Sequence, residues 1–352
     1  MKALNSIDQQ LNSSLVLLLL NIYEHKGKEF YYNELFSRDI KAFSQVVSEE
    51  NLYFLAKLTN LNISDARLRQ LAKKDYVPKN QDETLFNNLK EVLNALHKRP
   101  QHFELIVNQI EVIFKVVANN LKKVNFIEKE LSQKEGLFDK KIKIKMYDEL
   151  DQTFQLYNRQ LKIKKYELIS VINALFIDLY NNQYIDHYND IVSIIVYYAL
   201  LLYNFKVFKY VSFFKHLYFQ KEAYLVGMNQ STATYQTEFV QMPIFNSVIY
   251  ETFKLSFNEA EQKLNDYSRD VKQAKSDSIE GTIMRGNEVF SKADLKKAHP
   301  NVSETTIDRV LSALSEQNII RSTGKGRSAK WVRLKEKNYE FDLKDINIFD
   351  YE

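Results

Sequence analysis

Cysteine is absent from the 352 residues. That excludes disulfides, cysteine–zinc sites and thiol nucleophiles, and it fits a reducing, cytoplasmic setting. Glycine and proline are scarce, at 7 and 4 residues. Sandwiches and barrels need frequent turn residues, so the scarcity points to long helices. The six histidines are scattered with no HxxxH pair, so a metal site would have to rest on carboxylates. Long apolar runs are also lacking. Leu15–Leu20 is short for a signal-peptide core and no small-residue cleavage site follows it. The stretch 191–205 carries Ser193 and three tyrosines and falls below the roughly 20 residues a membrane span needs, so it reads as a buried helix. The expectation is a cytoplasmic protein without a membrane partner.

What is present is a large stock of core material. The hydrophobic fraction is 45%, with 22 Tyr and 23 Phe, ample for a packed interior. The length allows two or three domains. Net charge is only +4, but it is unevenly placed: Val271–Lys335 carries 13 basic and 7 acidic residues, and Glu336–Glu352 carries 2 basic and 6 acidic. The excess positive charge therefore sits in one small C-terminal module, followed by an acidic tail.

Residues 1–130 read as successive helices. Ser64 caps a helix with Leu68 and Leu71 at helical spacing, and Pro78 punctuates the loop after it. Leu85, Leu89, Val92, Leu93 and Leu96 then share one helical face, and a further helix is predicted over 102–121. Residues 133–146 form a break. The alternation in KIKIKM suits either a short strand or a charged helical face. Helices resume at Tyr147, with Pro243 marking one start, and 259–275 reads as a polar connecting helix.

The last module, 276–335, differs. Ser291 caps the helix SKADLKKA, Pro300 ends it, and Ser303 caps SETTIDRVLSALSEQN, whose inner face carries Ile307, Val310, Leu311 and Leu314. IIRS and AKWVRL are strand-like and are joined by the basic turn TGKGRS. Helix, turn, helix and hairpin spell a winged helix–turn–helix. In such modules the second helix enters the major groove of DNA. Ser303, Thr305, Thr306 and Arg309 would face base edges and phosphates, while Lys325, Arg327 and Lys330 on the wing would reach the backbone or the minor groove. Glu304 and Asp308 on the same helix repel phosphate and so favour selective over nonspecific binding. The alternative is a winged helix used only for protein contact.

Three stretches resemble the Fic (Fic/Doc) family, especially members with an N-terminal helical region, a Fic core and a C-terminal winged helix. They are EFYYNELFSRDIKAFSQVVSEENLYFLAKLTNLNISDARLRQL with VPKNQDETLFNNLKEVLNAL after it, KYVSFFKHLYFQKEAYLVGMNQS, and the module ending GKGRSAKWVRL. The resemblance implies a mainly α fold: a Fic-like helical bundle followed by a small α/β winged helix, divided as 1–130, 131–275 and 276–335 with an acidic tail at 336–352. It also implies an ancestral activity, transfer of AMP from ATP to a protein hydroxyl, through a motif of the form His-Pro-Phe-x-(Asp/Glu)-Gly-Asn-Gly-Arg-x-x-Arg. In that motif the histidine takes the hydroxyl proton, the acid holds Mg²⁺, a glycine turn cradles the phosphates and the arginines neutralise their charge.

This chain departs from the motif. YNNQYIDHYNDIVS stands where it should fall, with no glycine from Leu137 to Val226 and no arginine from Gln160 to Ser268. By spacing, the histidine position falls near Tyr184, and His187 reads as a structural or surface residue. The family's inhibitory Ser/Thr-x-x-x-Glu-Gly/Asn motif is also missing, with Thr59 near the place of its glutamate. SIEGT at 278–282 resembles that motif but lies in the linker. The expected protein is therefore a catalytically inactive Fic-like regulator or scaffold that binds double-stranded DNA as a homodimer, with no catalytic residue, metal or cofactor. The alternative is a divergent nucleotidyltransferase using ATP and Mg²⁺, with Asp186, His187 or Asp190 in the site.

Overall fold

The computed structural model describes residues 2–7, 13–36, 39–135, 138–237, 239–299, 302–324 and 329–334. It is mainly helical with a small C-terminal sheet, in line with the expected fold class. The chain divides into two compact units, Met1–Leu264 and Asn265–Glu352.

The first unit is built around two helices with no polar face. They are α8 (Leu168–Asn182) and α9 (Asn189–Asn204), in which every residue from Ile169 to Leu179 and from Ile191 to Leu202 is buried. A helix apolar all round has nowhere to sit but the middle of a domain. Around them run α1 (Lys2–Asn5), α2 (Ser13–Phe36), α3 (Ile40–Leu58), α4 (Asp65–Lys73), α5 (Gln81–Lys98), α6 (Val107–Val117) and α7 (Met146–Ile163). The unit continues through α10 (Phe213–Phe219), α11 (Lys221–Thr234) and the first part of α12 (Pro243–Arg285). Local signals set many of these boundaries. Asn80 caps α5 by accepting from the Glu83 N–H at 2.8 Å, and Glu167 caps α8 through the N–H groups of Ile169 and Ser170. The helix predicted over 102–121 is shorter: a single 3-10 turn at Pro100–His102 precedes α6. No helix among the described residues is long and apolar enough to cross a membrane.

The break at 133–146 proves to be a hairpin. β1 (Glu128–Glu135) pairs antiparallel with β2 (Phe138–Lys145) from Glu128↔Lys145 to Glu135↔Phe138. At its neck the Met146 N–H donates to the Ile127 carbonyl at 2.9 Å. Of the two readings of KIKIKM, the period-2 one is correct.

Two buried polar side chains of α8 are fully engaged. Asp178, fully buried in α8, accepts from Tyr157 Oη at 2.6 Å, Tyr235 Oη at 2.8 Å and the Ala3 N–H at 3.1 Å. Asn173 donates to Asn246 and accepts from Tyr197. Gly227 marks a close helix crossing in this unit: a Cβ there would lie 2.7 Å from the Phe245 nitrogen and 2.8 Å from its Cα. Glycine to alanine inside a helix ordinarily gains roughly 0.5–1 kcal/mol. Here the side chain meets backbone that cannot rotate away, so Gly227→Ala is expected to cost about 1–3 kcal/mol, read as a lower urea midpoint for the helical unit.

The second unit holds its own core. Ile279 and Ile283 from the end of α12, Phe290 from β3 (Val289–Ser291), Leu295 from α13 (Lys292–Ala298), Ile307, Val310, Leu311 and Leu314 from α14 (Glu304–Glu316) and Ile320 from β4 (Ile320–Ser322) pack together. Trp331 of β5 (Lys330–Arg333) lies against them. The sheet order is β3-β5-β4, all antiparallel. The polar helix predicted over 259–275 is part of one continuous α12 of 43 residues, whose last turns supply Ile279 and Ile283.

Candidate functional site

Two places can be built from residues upward: the second helix and wing of the C-terminal unit, and the turn between α8 and α9.

In the C-terminal unit, caps orient the helices. Ser291 and Asp294 form a reciprocal capping box at the start of α13. The Ser291 hydroxyl and N–H hold the Asp294 carboxyl below its ordinary range. Lys296 Nζ donates to the Val302 carbonyl at 2.6 Å, which ties α13 to the turn before α14. Ser303 caps α14, its Oγ accepting from the Thr306 N–H at 3.2 Å. That oxygen also lies 2.9 Å from Thr305 Oγ1 and 2.8 Å from Thr306 Oγ1. Three of the residues singled out from sequence thus form one hydroxyl cluster at the helix N-terminus, with Ser303 and Thr305 exposed. A helix start of this kind presents N–H groups and a favourable dipole to phosphate.

Arg309 is exposed on α14 and donates from Nη2 to Ser276 Oγ on α12 at 3.2 Å. Lys330 is exposed at the first position of β5, and its carbonyl accepts from both Thr323 N–H and Thr323 Oγ1, closing the base of the wing. Lys325 and Arg327, at the wing tip, lie outside the described residues, as do Pro300 and the tail from 336 to 352.

Some features escaped the sequence reading. Asp308 is ion-paired with Lys292 of α13, so its charge is offset and the phosphate repulsion expected of this helix falls mainly to Glu304. The Arg309–Ser276 contact spans 33 residues and no local pattern signals it. Strand β3 is three residues long, too short to show periodicity. Arg333 donates to the carbonyls of Ile283 and Met284 and so closes the end of α12, although as a cation in the basic module it looks like one more phosphate contact.

The turn 183–188 is where the catalytic motif of the resembled family would fall. It holds no glycine, yet Gln183 (φ 49°) and Tyr188 (φ 60°) both adopt the left-handed region, a conformation side chains tolerate poorly. Two of its N–H groups are engaged by the protein itself. Tyr184 N–H donates to Asn189 Oδ1 and Asp186 N–H to the Asn125 carbonyl, while the Tyr184 carbonyl accepts from Ile127 N–H. An anion cradle needs such N–H groups turned outward and free. Tyr184 is buried, with its hydroxyl 3.1 Å from Thr153 Oγ1 and accepting from Asn182 at 2.9 Å, and burial pushes its phenol up to about 12. The Asn125 backbone N–H holds the Asp186 carboxylate below its usual range. His187 is exposed. No group of three or more metal-ligating side chains occurs among the described residues.

Thr59 sits at the C-terminal cap of α3, and its hydroxyl bonds back to the Leu55 carbonyl at 2.9 Å. SIEGT is a turn of α12: Ile279 is core, and Thr282 Oγ1 meets His299 Nε2 at 2.8 Å.

No protein family's sequence profile matches this chain, and no curated protein does. Among solved structures it is similar to a Fic family protein from Desulfovibrio desulfuricans G20, with a TM-score of 0.51 at 13% sequence identity. The likeness covers 93% of this chain and 97% of the other. At that identity it is a likeness of fold.

Proposed function

We propose that this protein is a DNA-binding regulator whose Fic-like helical body no longer transfers nucleotides. The observation that carries the reading is the arrangement of the C-terminal unit. A winged helix with its own core leaves Ser303, Thr305 and Arg309 exposed on α14 and Lys330 exposed at the wing, the geometry with which such modules enter a major groove. The positive charge excess of Val271–Lys335 supplies the sequence-independent attraction to phosphate. The engaged N–H groups of Tyr184 and Asp186 and the turn's lack of glycine and arginine support the absence of nucleotide transfer, because a phosphoryl site without a cradle forfeits its main electrostatic stabilisation. A homodimer in the cytoplasm, binding paired half-sites, fits this role.

The test is fluorescence anisotropy with duplex DNA from upstream of the protein's own gene, across a salt series. Affinity is expected to fall steeply with salt. An Arg309→Ala/Lys325→Ala/Arg327→Ala variant is expected to lose binding by at least about 100-fold, on the scale of one good guanine contact plus two phosphate contacts. Unchanged affinity in that variant would refute the reading. Calorimetry with ATP and Mg²⁺ checks the second half: saturable heat accompanied by AMP on a protein target would restore an enzymatic role.

A further inference from the structure

The C-terminal unit has a second open surface, the outer face of its three-stranded sheet. Phe290, Ile320 and Trp331 pack on the core side. Successive side chains of a strand alternate, so Val289 of β3, Lys330 and Val332 of β5 and Arg321 of β4 share the opposite face. The register agrees: Val289 and Arg321 both lie across from Val332, and Ser291 lies across from Lys330. Leu334 follows in the same alternation, its N–H donating to the Ile319 carbonyl at 2.9 Å. Val289 is 49% exposed, Val332 and Leu334 are half-buried, and Arg321 and Lys330 are exposed.

The face is an apolar strip with cations beside it. Across 288–292, 319–323 and 329–334 the cations are Lys292, Arg321, Lys330 and Arg333, and the sole acid is Glu288. Lys292 pairs with Asp308, and Arg333 donates to the end of α12. Asp294, whose carboxyl feels Lys330, is taken up by the N–H and hydroxyl of Ser291. Arg321 and Lys330 make no ion pair among the described residues. An occupant of this face should therefore bring apolar side chains and carboxylates together.

This chain carries such a segment. Its described residues end at Leu334, on this face, and the tail 336–352 follows. The tail holds 6 acids against 2 lysines, and in Tyr339–Leu343 (YEFDL) apolar and acidic residues alternate. A tail serving only solubility needs its acids but not its aromatics. At up to about 3.3 Å per residue, it is long enough to reach back across strands of three or four residues. Tethering at this length sets an effective concentration on the order of 1 mM. A contact too weak to form between separate molecules is then well populated within one.

We propose that the acidic tail docks on the outer face of this sheet and thereby restrains DNA binding. Tyr339, Phe341 and Leu343 cover Val289, Val332 and Leu334, and the tail carboxylates meet Arg321 and Lys330. In the DNA-binding reading Lys330 is a wing contact, so DNA must displace the tail to use it. The restraint rests on that reading; the docking does not.

The experiment uses the full chain and its Tyr339→Ser/Phe341→Ser/Leu343→Ser variant. The variant keeps every charge of the tail and alters none of the residues that form the C-terminal core. Methyl NMR follows Val289 and Val332, whose resonances are expected to differ between the two proteins and to hold their positions in the native chain over a tenfold dilution. Fluorescence anisotropy is expected to show the variant binding duplex DNA at least about threefold tighter, the factor for a contact of roughly 0.5 mM tethered at about 1 mM. Identical Val289 and Val332 resonances in the two proteins overturn the docking. So do native resonances that move to the variant's positions on dilution, because the tail would then sit on a second copy. If the resonances differ as expected, equal DNA affinity overturns the restraint. DNA binding absent from both proteins refutes the DNA-binding reading and leaves the docking standing.

Discussion

Asp178→Ala is expected to destabilise the helical unit by roughly 3–6 kcal/mol, more than Gly227→Ala. The carboxylate is fully buried and accepts from two tyrosine hydroxyls and the Ala3 N–H. Removing it strands three donors with no water to receive them, each at about 1–3 kcal/mol. It also releases α1, which is held to α8 by the Ala3 contact. The asymmetry of buried hydrogen bonding gives an internal control. Asp178→Ala combined with Tyr157→Phe and Tyr235→Phe removes donors together with the acceptor and should recover part of the loss. Urea unfolding followed by far-ultraviolet circular dichroism reads both variants. A loss below about 1 kcal/mol for the single variant would mean that the cluster is not closed from solvent as described.

Leu311→Ala is expected to unfold much of the C-terminal unit. Leu311 is 1% exposed at the centre of that unit's core. Truncating a buried leucine costs about 2–5 kcal/mol, depending on how far the cavity collapses. A core this small rarely supplies more than about 3–5 kcal/mol in total, so the substitution removes most of the margin. The chain has one tryptophan, Trp331, and it packs on this core. Its emission therefore reports the unit directly. The Leu311→Ala variant should show red-shifted emission at room temperature and no DNA binding, because α14 is no longer held. Arg309→Ala, in contrast, alters an exposed side chain and should leave the emission unchanged while weakening DNA binding. If Leu311→Ala bound DNA with native affinity, α14 would not be the reading helix.

Much of the local structure was legible from residues near one another in the chain. The stripe Leu85, Leu89, Val92, Leu93 announces α5, and Ser291 and Ser303 announce the starts of α13 and α14, where the structure places their cap bonds. Pro243 opens α12. These signals are short in range because helical periodicity and capping act over three or four residues. The absence of the glycine turn and arginines of the Fic motif is equally a property of sequence.

The tertiary structure decided what depends on partners distant in sequence. KIKIKM could have been a strand or a helix face, and pairing with 128–135 made it a strand. The polar run after Glu259 looked like a connection, yet its helix continues to carry Ile279 and Ile283 into the second core. Asp308 looked like a free repulsive charge until Lys292 came within reach. A local pattern shows which face of an element is apolar. Which groups meet across the core, and therefore which donors and charges are left without partners, is settled only when packing brings distant segments together.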